Sequence, residues 1–184
     1  YSIVICLVHY TGLLHADYKA DIGFTKLATE LGVNLPDGNG ILATQVEAAT
    51  SYVDHDNNPS TPDWPIYLPD RNNTAFTGKL ITDMTGAEFG TYSSHATGVG
   101  GLLYGSNSMA SGINSIHAYW ADDWFQSGFL NYGSGHPLSS SSRIGNHSWV
   151  GNITDLPIAS NLLRRMDWLI ETDEFLQFVG TRNS

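Results

Sequence analysis

The stretch Ser93-Ser94-His95-Ala96-Thr97-Gly98-Val99-Gly100-Gly101-Leu102-Leu103-Tyr104-Gly105 decides the reading of this chain. A histidine follows a polar turn and opens a run of small and apolar residues. Val99, Leu102 and Leu103 recur at helical spacing. Gly98, Gly100 and Gly101 leave the adjoining face nearly bare. A glycine costs about 1 kcal/mol in a helix relative to alanine. Three so close together imply a neighbour that approaches the backbone. An imidazole at a helix N-terminus is biased toward the neutral form, because the dipole there disfavours added positive charge. A neutral, positioned imidazole is what a general base needs. The plainer alternative for His95 is a buried helix residue with a packing role.

Working outward, residues 17–32 carry Ile22, Leu27 and Leu31 before Gly32, which predicts a short amphipathic helix with a glycine cap. Pro36-Asp37-Gly38-Asn39-Gly40 is a turn. Ile41 to Ala48 reads as a mostly buried strand, and residues 50–78, rich in Asp, Asn and Pro, as a long surface loop. Ile113 to Tyr119 reads as the next strand, and residues 132–142 as loop. Arg143 to Trp149 is strand-like and ends at Val150-Gly151. Ile158 to Ile170 has helical spacing, and Phe175 to Gly180 reads as a last strand. Strands alternating with helices predict an α/β fold with a mainly parallel central sheet. In such a sheet functional groups gather at the carboxyl ends of strands. Glu47, Ser148, Gly151 and Asn183 lie at or just after such ends, and His95 opens a helix.

The chain has 184 residues, 41% of them hydrophobic and 14% charged, which suits one globular domain with a sizeable core. Eighteen acidic against eight basic residues give a net charge of −10, which argues against nucleic acid as a partner. The single cysteine, Cys6, excludes an intrachain disulfide. Residues 1–16 combine an apolar run, Ile3 to Val8, with Leu13, Leu14 and a small Ala16. They read either as the remnant of an export signal or as a buried strand. Export would place the protein outside the cell, in the periplasm or on the cell surface. The run is too short to span a bilayer. Asp54-His55-Asp56-Asn57-Asn58 has spacing that suits a structural Ca²⁺, or is simply a solvated acidic loop. Asn72, Asn146 and Asn152 open sequons that matter only in a eukaryotic secretory path.

His95, Thr97, Val99 and Gly101 resemble the histidine motif of the subtilisin-like serine peptidases, roughly His-Gly-Thr-His-Val-Ala-Gly. Ala96 and Gly98 depart from it. The order of elements is also similar, from about residue 38 onward. The resemblance implies a three-layer subtilisin-like fold truncated on its C-terminal side, with residues 17–184 as the N-terminal part of a peptidase domain. It implies that Glu47 stands where the family has its acid, His95 at the base, and Asn183 at the oxyanion donor. Ser148, Trp149, Val150 and Gly151 then form the strand that pairs with substrate. Glu47 departs from the usual aspartate, with Asp54, Asp56 and Asp83 as rival acids, and Arg182 replaces a usual glycine. His147, next to Ser148, is expected on the opposite face, as a structural histidine like His117. No serine fits the family's nucleophile motif, so the resemblance implies a fragment of an exported serine endopeptidase acting on protein or peptide substrates. No cofactor is required. The alternative is a non-catalytic relative that serves as a surface or peptide-binding module. Lacking its last strands, such a sheet is expected to show an apolar edge and face and hence poor solubility.

Overall fold

The computed structural model describes residues 17–85, 92–133, 135–149 and 155–180. Residues 1–16, Val150, Gly151, Arg182 and Asn183 lie outside the described residues. The strands are β1 (Leu42–Glu47), β2 (Tyr52–Val53), β3 (Trp64–Pro65), β4 (Leu80–Asp83), β5 (Ser115–Trp120), β6 (Ile144–His147) and β7 (Leu176–Val179). The helices are α1 (Tyr18–Asp21), α2 (Phe24–Leu31), α3 (Ser94–Leu103), α4 (Ala121–Asp123) and α5 (Leu156–Asp173). The main sheet runs β4-β5-β1-β6-β7 with every pair parallel, and β2 and β3 form a separate antiparallel ribbon.

β1 lies at the centre. It pairs with β5, Glu47 opposite Trp120, and with β6, Val46 opposite His147. All its residues from Ala43 to Glu47 are buried, although three are polar. A parallel strand covered on both faces behaves this way. Successive side chains alternate, so Ala43, Gln45 and Glu47 share one face and Thr44 and Val46 the other. On the first face Ala43, Ile81, Ile116 and Ala118 pack with Tyr67, Leu68, Phe76 and Tyr104, under α3. On the second, Val46 and Tyr119 pack with Trp124, Leu130, Phe175 and the Leu162, Met166 and Leu169 stripe of α5. The expected α/β architecture with a parallel sheet between helices is present.

Three local expectations change. The 50–78 segment is not only surface loop, because it holds the β2–β3 ribbon and a 3-10 turn at Thr74–Phe76 and sends Tyr67, Leu68 and Phe76 into the core. The helix expected over 17–32 divides into α1 and α2 at Gly23, whose φ of 82° interrupts the helical path. Neither piece buries a residue. The strand-like run 143–149 stops pairing at His147. At the sheet's outer strand β7, Leu176 and Val179 are exposed.

The chain leaves β1 toward β4 and β5 on one side and later crosses to β6 and β7 on the other. In open parallel sheets this reversal opens a crevice at the carboxyl ends of the two flanking strands. Here those ends are Glu47 of β1 and His147 of β6, with Ser148 next.

Candidate active site

Ser93 starts α3. Its hydroxyl accepts a hydrogen bond from the Ala96 amide at 3.1 Å, which satisfies one of the free amides of the first turn. Thr97 braces the same turn by donating to the Ser93 carbonyl at 2.8 Å and accepting from the Asp70 amide at 2.8 Å. His95 is therefore the second residue of a well-capped helix. Its Nε2 lies 3.4 Å from Glu47 Oε2 and 2.9 Å from the Ser148 carbonyl oxygen. The structure thus brings Glu47, His95 and Ser148 together at the carboxyl ends of β1 and β6, from three separate elements. The rival acids are elsewhere. Asp83 accepts from the Tyr67 hydroxyl at 2.6 Å, Asp54 from the Asn57 amide at 2.7 Å, and Asp56 from the Thr61 hydroxyl at 2.8 Å.

Burial divides the pair. The Glu47 side chain is 2% exposed and that of His95 41%. Glu47 Oε1 accepts from the Gln45 side-chain amide at 2.8 Å, whereas Oε2 has no hydrogen bond and faces the imidazole. Glu47 pushes the His95 pKa up to about 9, against the opposing effect of partial burial, and the Ser148 carbonyl adds to the rise. This overturns the expectation of a neutral imidazole. A helix N-terminus is worth only about 0.3–1 kcal/mol at an exposed site, and a buried carboxylate at 3.4 Å outweighs it. The ring orientation also differs from what a proton-relaying histidine needs. Nε2, not Nδ1, faces the acid. Turning the ring over about Cβ–Cγ exchanges Nε2 with Cε1 and Nδ1 with Cδ2 within the same plane.

His147 sits on the other face, as its place beside Ser148 in an alternating strand requires. It is 1% exposed, meets Trp124 edge-on at 4.8 Å and shares a 3.0 Å hydrogen bond with Gln177. Burial pushes its pKa down to about 4, so it is a neutral core histidine. Burial also lowers the pKa of His117. Trp149 packs its indole against Phe125 at 5.0 Å. The other residues expected to touch substrate, Val150 and Gly151, and the oxyanion candidate Asn183 lie outside the described residues.

Of the three helix glycines, only Gly100 has a close neighbour. A Cβ there would stand 2.5 Å from the Tyr104 hydroxyl and 3.1 Å from Gln45 Oε1, whereas Gly98 and Gly101 face open space. In the Asp54–Asn58 loop the side-chain oxygens are turned onto the loop's own amides. Among the described residues no group of three or more His, Cys, Asp or Glu is placed to hold a metal ion, and no helix is long and apolar enough to cross a membrane. Sequence reasoning missed Gln45 and Tyr104, both fully buried beside the acid. The only signal was Gln45 standing two residues before Glu47, hence on the same face. Compared with protein-family models, curated proteins and solved structures, the chain matches none of them.

Proposed function

We propose that this chain carries the acid–base part of a subtilisin-like serine endopeptidase, with the nucleophilic serine supplied from outside this stretch. One observation carries the reading. A buried carboxylate at the end of the central strand, a histidine at the start of the covering helix and the carbonyl following β6 converge at the carboxyl end of the sheet. A ring flip alone would put Cε1 where Nε2 now lies, so the working orientation is a different His95 rotamer, with Nδ1 toward Glu47 and Nε2 toward the substrate. The serine oxygen attacks the peptide carbonyl carbon and its proton passes to His95 Nε2. The carbon–nitrogen bond then breaks as that proton moves to the leaving amine, and water repeats the sequence on the acyl-enzyme. Glu47 stabilises the imidazolium in both steps. The substrate lies extended beside Ser148 to Gly151, and Asn183 donates to the oxyanion.

The resting arrangement favours a second reading. A charged imidazole ion-paired with Glu47 and hydrogen-bonded to the Ser148 carbonyl is a structural clasp, which suits a non-catalytic peptide-binding relative. A fluorophosphonate probe applied to the complete polypeptide containing this stretch separates the two. Labelling of one serine that disappears in His95→Ala supports the peptidase. A folded, unlabelled wild type, or labelling indifferent to His95→Ala, overturns it.

A further inference from the structure

The polar chain behind Glu47 has a direction. The Tyr104 hydroxyl donates to Gln45 Oε1 at 2.5 Å. The Gln45 amide nitrogen donates to Ala96 O at 2.9 Å and to Glu47 Oε1 at 2.8 Å. The carboxamide has two N–H donors and an acceptor oxygen, and each has a partner here. Because Tyr104 supplies a hydrogen to the oxygen side, a flipped amide would set nitrogen against the hydroxyl and oxygen against two acceptors. Burial, with the charge of Glu47, holds the Tyr104 phenol far above its ordinary titration range, so it remains a donor. Gly100 makes this possible, since any side chain there would occupy the place of the hydroxyl.

We infer that Gln45 and Tyr104 are positioning residues that anchor Glu47 Oε1 and leave Oε2 to His95. A glutamate has one more torsion than an aspartate, and the anchored amide removes that freedom. The relay thereby lets a longer acid serve at this site. The role rests on the reading of His95 and Glu47 as an acid–base pair, but its test does not need peptidase activity.

The measurement is an NMR titration of the His95 ring in the full chain and in Gln45→Met, Tyr104→Phe and Phe76→Leu. Met keeps the length of Gln without its amide, and Phe removes only the hydroxyl. Phe76 touches the Tyr104 ring at 5.3 Å but has no polar group to join the relay. Without its donor a buried carboxylate favours its neutral form. Gln45→Met and Tyr104→Phe are expected to lower the His95 pKa by about one unit or more, a tenfold weaker hold on the proton. Phe76→Leu should reduce stability and leave that pKa in place. If either relay variant is folded and titrates like wild type, or if Phe76→Leu shifts His95 equally, the inference is overturned. A relay effect on His95 in a protein that never labels with the fluorophosphonate would sink the peptidase reading and spare this one.

Discussion

Replacing Glu47 with glutamine tests the electrostatics of the site most directly. The substitution preserves size and leaves an oxygen for the Gln45 amide, but it removes the charge and turns an NH₂ toward the ring. In the wild type His95 moves from 6.5 to about 9. Unscreened, that displacement equals about 3 kcal/mol between protonation states. With 41% of the His95 side chain in water, screening reduces the stabilisation to about 1–2 kcal/mol. The folded-state pKa lies above the unfolded one. The stabilisation is therefore full below 6.5 and is lost as pH rises through about 9. In Glu47→Gln the Ser148 carbonyl still favours the charged ring, while partial burial and the helix N-terminus oppose it. His95 is expected at its ordinary value or below. An NMR titration of the imidazole from about pH 5 to about pH 10, paired with urea unfolding near both ends, reads both quantities. The unfolding free energies of wild type and variant should differ most at the acid end and converge at the alkaline end. If His95 in the folded variant still titrates near 9, Glu47 is not the group that holds it.

Two further outcomes follow from β6 and α3. His147 has its pKa pushed down to about 4, so its contribution is present above 6.5 and is lost as pH falls from there toward 4. Unfolding at intervals across that range should show a loss of about 3 kcal/mol that His147→Gln removes, and an unchanged slope in the variant would refute the assignment. Within α3, Gly98→Ala and Gly101→Ala should each stabilise by about 0.5–1 kcal/mol, whereas Gly100→Ala should destabilise by about 1–3 kcal/mol through its clash with the Tyr104 hydroxyl. Denaturant midpoints that move in the same direction for all three would contradict the packing described here.

Much of the frame was legible because its signals are local. β1, α3, β5, α5 and β7 each show an apolar period bounded by glycine, proline or a polar turn. β4 escaped notice because it is four residues long and buries only Ile81. The Tyr67 and Phe76 contributions were hidden inside a segment whose composition is that of a loop. At the site, Glu47 and His95 could be paired from their places at a strand end and a helix start. The relay could not, because Tyr104 and Gln45 lie 59 positions apart and their bond depends on the helix lying across the strand. The charge on His95 was misjudged for a related reason. The helix-end rule is local, and the carboxylate that overrides it arrives from another element.

The central place of β1 bears on how the protein is made. Its two neighbours in the sheet, β5 and β6, are both distant in the chain, so this strand leaves the ribosome with no partner. At about 5–20 residues per second, the roughly 100 residues from Glu47 to His147 take about 5–20 s to emerge. Glu47 and His95 both emerge before Ser148, whose carbonyl completes their arrangement. Pairing of widely separated strands is slow to nucleate. The site therefore forms only after β5 and β6 have both emerged and the sheet closes around β1.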